Sequence, residues 1–141
     1  MSVSETPLLS MTIKRCGRAI DRDIDRTLKQ HGIARSQYRV LYYVAHYDEP
    51  SQSDLIEKME IQPSTLTLIV DVLVHKGWLV RTKDPLDKRL NKLRLTPAGK
   101  KIFQQIPDPA QKLQKLILKN LSRSEAQALG DSLTKITKAL S

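Results

Sequence analysis

Seven consecutive residues, Lys83-Asp84-Pro85-Leu86-Asp87-Lys88-Arg89, put three cations and two carboxylates into one short segment. The runs on either side, Trp78-Leu79-Val80-Arg81-Thr82 and Asn91-Lys92-Leu93-Arg94-Leu95, read as strands, so the segment is a charged hairpin loop. An arginine at such a tip suits a narrow minor groove, where negative potential is concentrated, and Arg89 is placed for that role. Lys83 and Lys88 suit phosphates, as do Arg81 and Arg94 if they face outward. Each neutralised phosphate adds nearly one unit to the salt dependence of binding.

The second group of candidates precedes the hairpin. Apolar Leu66, Ile69, Val70 and Leu73 share one face of a helix expected over residues 63–76. That leaves Ser64, Thr65, Leu68, Asp71, Val72 and His75 facing outward. A helix in the major groove reads base edges from such positions. Ser64, Thr65 and Thr67 lie near the helix N-terminus, where hydroxyls and backbone N–H groups also take phosphate. Leu68 and Val72 can offer only apolar contact, for which the thymine methyl is the partner. Asp71 would not face phosphate and is expected to orient a basic neighbour.

The elements that must hold these groups follow from periodicity and caps. Leu9, Ile13, Cys16, Ile20, Ile24 and Leu28 form one stripe of a long helix over 8–30, ended by His31-Gly32. A helix over 36–47 carries Tyr38, Leu41, Tyr42 and Ala45. Ser51 with Asp54 forms a capping box for a short helix through Leu55, Ile56 and Met59. Glu60-Ile61-Gln62 is a turn, and Pro63 opens the next helix, where its missing N–H costs nothing. Gly77 closes that helix. Thr96-Pro97 starts another, which Pro107 and Pro109 break or bend before it resumes with Leu113, Leu116, Ile117 and Leu121. Ser122 with Glu125 caps a last helix, whose Ala126, Leu129, Leu133, Ile136 and Leu140 make a short heptad-like seam.

Composition sets outer bounds. The chain has 141 residues, 40% of them hydrophobic, enough for one domain with a real core. A net charge of +9 and a pI near 9.8 favour a polyanionic partner. The single cysteine, Cys16, excludes an internal disulfide framework and a cysteine-rich zinc site. No apolar run approaches a membrane span, and residues 1–9 lack a secretory signature, so a cytoplasmic location is expected. Three scattered histidines and no Gly-rich phosphate loop give no support to an enzyme, a metal site or a cofactor.

The run from Leu66 to Arg81, the loop pattern Asp84-Pro85-Leu86-Asp87-Lys88-Arg89 and the close Leu93-Arg94-Leu95-Thr96-Pro97-Ala98-Gly99 together resemble the MarR family of bacterial transcription regulators. Ser36-Gln37-Tyr38, with Leu41, fits the family's second helix. The motif match covers about 36–99. Thr65-Leu66-Thr67 and Ile106-Pro107 resemble the organic-hydroperoxide (OhrR) branch. Aligning on Gln37-Tyr38, however, puts Ser10 where that branch has its sensing cysteine, and Cys16 falls almost two turns later.

The resemblance implies a mainly α fold of order α-α-α-α-β-β-α-α. It makes 36–99 a winged helix-turn-helix, and 1–32 with 101–141 the long terminal helices of a dimerisation region. It implies a homodimer on double-stranded DNA with a pseudo-palindromic operator, and repression relieved by a ligand. Asp87 resembles the family residue that steadies the wing arginine. The family's small aromatic or anionic effectors bind between dimerisation helices and winged lobe, where His31, Tyr38, Tyr42, His46 and Trp78 would form the lining. Cys16 is then expected as a small hydrophobe buried at the dimer interface. Lys14, Arg15 and Arg18 would lower its pKa if it were exposed. Two other readings are a winged-helix protein-interaction module, motivated by aliphatic Leu68 and Val72, and a thiol-based redox regulator acting through Cys16.

Overall fold

The computed structural model of the chain describes residues 6–141. Residues 1–5, the start of the expected dimerisation segment, lie outside the described residues. In chain order the elements are α1 (Thr6–Lys29), α2 (Arg35–His46), α3 (Gln52–Met59), α4 (Pro63–His75), β1 (Leu79–Lys83), β2 (Asn91–Leu95), α5 (Pro97–Gln105), α6 (Pro109–Asn120) and α7 (Arg123–Leu140). That is one helix more than the expected order, because the break at Pro107 and Pro109 is complete. Asp108 caps α6 through the Ala110 N–H at 2.9 Å, and Pro109 is its first residue. The Asp-Pro pair is a helix start as much as a helix stop.

Local chemistry places most boundaries. The Ser51 hydroxyl accepts from the Asp54 N–H at 3.0 Å, and the Asp54 carboxylate accepts from the Ser51 N–H at 2.8 Å. Ser122 and Glu125 repeat the arrangement at 3.1 and 3.0 Å. Glu60 turns the chain between α3 and α4 with φ of 53°, a left-handed conformation that an L-residue adopts at some cost. Gly77, at φ 78°, ends α4 without that cost.

The chain forms two compact units, residues 1–106 and 107–141. The core of the first gathers Leu28 from α1, Val40 and Leu41 from α2, Leu55 from α3, and Leu66, Val70 and Leu73 from α4. Leu79 and Leu93 from the two strands join them, all with 2% exposure or less. Burying each such side chain contributes about 2 kcal/mol, so the winged lobe rests on residues drawn from α1 to α4 and both strands. Ile69, expected on this face, is only partly buried. The α1 stripe reaches the core only at its end: Leu28 is buried and Ile24 half-buried, whereas Leu9, Ile13 and Cys16 are exposed in the single chain. In the second unit α6 and α7 half-bury Leu113, Ile117, Leu121 and Ala126, and α7 has no fully buried residue.

β1 and β2 pair antiparallel, from Leu79 opposite Leu95 to Lys83 opposite Asn91. The first strand therefore starts one residue later than expected, and Trp78 precedes it. Ser51 adds a bridge to Lys92, and the Leu93 N–H donates to the Pro50 carbonyl at 2.9 Å. This ties the wing root to the start of α3.

Candidate nucleic-acid interface

The hairpin between β1 and β2 is organised by its own carboxylates. Asp84 accepts from the Leu86 N–H at 2.8 Å and lies 3.7 Å from the Lys92 ammonium. Asp87 accepts from the Arg89 N–H at 3.1 Å, and its two oxygens take the Arg89 Nε and Nη2, each at 3.0 Å. This is a two-point clamp between a planar guanidinium and a planar carboxylate. The fork holds the Asp87 carboxyl below its ordinary value and the Arg89 guanidinium above its own. The Arg89 side chain is nonetheless 90% exposed. A charged group is thus fixed in direction and left open to solvent, an arrangement that lowers the ordering cost of meeting an anion. Lys83, Lys88 and Leu86 are exposed beside it.

On α4, Ser64, Thr65, Thr67, Leu68, Asp71, Val72 and His75 are all exposed. Thr67 donates its hydroxyl to the Pro63 carbonyl at 3.0 Å, so that proton is committed within the helix. Asp71 accepts from the Arg81 Nη2 at 2.7 Å, and Arg81 Nε donates to the Gln52 side chain at 2.7 Å. Arg81 thus joins α4, β1 and the first residue of α3 rather than projecting as a free cation. Arg94 remains exposed, 3.6 Å from Glu49. Gln52 carried no signal in the sequence, because its partner lies 29 positions away. Lys76, just past α4, was also missed. Its ammonium donates to the Gly32 carbonyl at 3.1 Å and sits 4.6 Å from the Trp78 ring centroid. A lysine beside a helix C-terminus and a following aromatic were the available signals.

The aromatic candidates divide. Tyr38 is buried and stacks on Phe103 of α5, with ring centroids 5.7 Å apart. Tyr42, 37% exposed, stacks on His46 at 4.1 Å and lies 6.5 Å from Phe103. His46 Nδ1 donates to the Tyr42 carbonyl at 2.8 Å. His31 is in the turn after α1. A cavity of about 520 Å³ between the end of α2, β2 and α5 is lined by His46, Phe103, Arg94 and Lys100, and not by His31, Tyr38 or Tyr42. Among the described residues no group of three or more His, Cys, Asp or Glu could hold a metal ion, and no helix is long and apolar enough to cross a membrane.

Three helices, a two-stranded wing and an exposed, pre-oriented arginine at its tip define a winged helix-turn-helix. Residues 33–90 match the MarR family profile. The multiple antibiotic resistance protein MarR of Salmonella typhimurium is 32% identical over 117 residues, 82% of this chain and 81% of that protein. The chain belongs to the MarR family. An uncharacterized HTH-type transcriptional regulator of Bacillus subtilis, YdgJ, is 32% identical over 74% of this chain, which spans 64% of that relative's length. Among solved structures, a mutant MarR from E. coli complexed with operator DNA superposes with a TM-score of 0.81. It is 27% identical, with 96% of this chain and 99% of that one covered. The S. aureus MepR–DNA complex, 23% identical over 94% and 98%, shares the fold at a TM-score of 0.84.

Proposed function

We propose that this regulator binds operator DNA as a homodimer in the cytoplasm and represses transcription until a small aromatic or anionic effector is bound. α4 enters the major groove, with Ser64, Thr65 and Thr67 at its N-terminus near phosphate and Leu68 and His75 along its outer face. The wing enters the adjacent minor groove through Arg89, steadied by Asp87 and flanked by Lys83 and Lys88. Residues 36–99 carry the DNA contacts, and 1–32 with 101–141 carry dimerisation. The effector space lies beside His46, in the cavity that Phe103, Arg94 and Lys100 also line, rather than at His31, Tyr38 or Tyr42.

The observation that carries the reading is the Asp87–Arg89 fork, a cation held in place yet 90% exposed, next to an exposed helix face. The operator complex of the E. coli MarR mutant supports it. Gel retardation and fluorescence anisotropy with Arg89→Ala test it. Affinity is expected to fall about tenfold or more, and the slope of log affinity against log salt to lessen by nearly one per lobe. A wild-type protein that retards no duplex even at low salt would overturn the reading and favour a protein-interaction module, for which exposed Leu68 and Val72 would be the contact.

A further inference from the structure

We infer that α4 reads its half-site mainly through thymine 5-methyl groups, with Leu68 and Val72 as the reading residues. The inference rests on the DNA-binding reading above and deepens it to the class of base recognised.

The argument begins with what α4 lacks. Its thirteen residues, PSTLTLIVDVLVH, include no Arg, Lys, Asn or Gln. Those four side chains supply the bidentate contacts that distinguish guanine and adenine in the major groove. Gln62 and Lys76 bracket the helix, but Gln62 stands before its first turn, and Lys76 is turned back onto Gly32 and Trp78. The one carboxylate, Asp71, the group type that accepts from cytosine, is engaged by Arg81 at 2.7 Å. The Thr67 hydroxyl proton is given to Pro63.

What remains outward is apolar. Leu68 is 68% exposed and Val72 42%. Four positions apart, they stack on one face of the helix, one turn from Ser64 and Thr65. Large aliphatic side chains at the centre of an outward face gain nothing from water or phosphate. In the major groove the one apolar group a base pair presents is the thymine methyl, and its position distinguishes T·A from A·T. Contact with it removes apolar surface from water on both partners. Ser64, Thr65 and His75 then supply the few polar contacts.

The test uses the full-length protein. Selection from a random duplex library yields its preferred site, and that site is remade with uracil for each thymine in turn. Uracil pairs as thymine does and lacks only the methyl. Affinity is expected to drop about fourfold for each contacted methyl removed, at one or more thymines in each half-site. Leu68→Ala and Val72→Ala should each lose the penalty only at the thymine that residue meets, and the double variant should bind the thymine and uracil versions equally; both side chains are exposed, so neither change hollows the core. Full affinity for an all-uracil site would overturn the inference while leaving DNA binding intact. A full uracil penalty that persists in the double variant would also overturn it, because the penalty would then arise from duplex shape. Failure to bind any duplex at low salt would instead remove the DNA-binding reading itself, and this inference with it.

Discussion

At the scale of single residues, the wing arginine owes its direction to one neighbour. Asp87 contributes both oxygens, so Asp87→Asn keeps the size but loses one arm of the fork, since an amide N–H cannot accept from a guanidinium. DNA affinity is expected to fall about three- to tenfold, less than for Arg89→Ala. In an Arg89→Ala background the same change should add almost nothing, which a double-mutant cycle by anisotropy would read. The pH dependence follows from the sign of the shift. The Asp87 carboxyl is held below its ordinary 3.8 by the Arg89 side chain and then by the Arg89 N–H. Its clamp is therefore complete above that value and is lost only as pH falls below it. The affinity ratio of wild type to Arg89→Ala should be the same at pH 5 and pH 8. A ratio that shrinks at pH 5 would show that something other than this carboxylate positions the arginine.

At the scale of elements, the close approach of α5 to the strand turn is set by one glycine. Thr96 donates its hydroxyl to the Gly77 carbonyl at 2.5 Å, caps α5 through the Gly99 N–H at 3.0 Å, and donates its own N–H to the Trp78 carbonyl at 3.1 Å. A Cβ on Gly99 would stand 2.0 Å from that Trp78 oxygen, a backbone atom that cannot swing aside. Gly99→Ala is expected to cost about 3 kcal/mol or more, which in a domain of this size lowers Tm by roughly 10 °C. Thermal unfolding followed by circular dichroism checks it, and an unchanged Tm would mean that the helix and turn do not meet as described. The Thr-Pro-x-Gly pattern showed in the sequence as a cap and a start; the reason for its glycine did not, because the clash is with a residue from the other side of the hairpin. The same division runs through the lobe. Ser51 with Asp54, Pro63, Gly77 and Ser122 with Glu125 were legible because each bonds within a few positions. The loop residues Asp87 and Arg89 were legible for the same reason. A basic partner for Asp71 was legible, but that it is Arg81, with Gln52 beyond it, was not; nor was the ion pair of Arg35 with Asp21 at 2.9 Å or the carbonyl that Lys76 meets, because all are made by tertiary approach. Tyr38 looked like a pocket residue because helical spacing alone cannot separate a core aromatic from a lining one.

At the scale of the molecule, the apolar surface left by one chain must be accounted for. On α7, Leu129, Leu133, Ile136 and Leu140 recur at four, three and four positions, and are 46, 37, 43 and 83% exposed. α6 adds Leu116 and Leu118, and α1 adds Leu8, Leu9, Met11 and Ile13. An apolar seam with no buried residue on its own helix is stable in water only when something covers it. A second copy of the chain supplies the same seam, as two-fold symmetry requires of a self-complementary interface. The protein is expected to sediment as a dimer of about 32 kDa, twice its 16.0 kDa chain. Two lobes on a two-fold axis then need half-sites about one helical turn apart. Linking the lobes makes the second half-site an intramolecular encounter, worth about a hundredfold or more in affinity. Leu133→Glu combined with Ile136→Glu places carboxylates in the seam and should shift the protein to monomer in analytical ultracentrifugation. Its operator affinity should drop by that factor and its salt slope should roughly halve, since one lobe neutralises half the phosphates. The circular dichroism of residues 1–106 should persist, because their core contains no residue of α7. A variant that remains dimeric and binds with an unchanged salt slope would place the interface elsewhere.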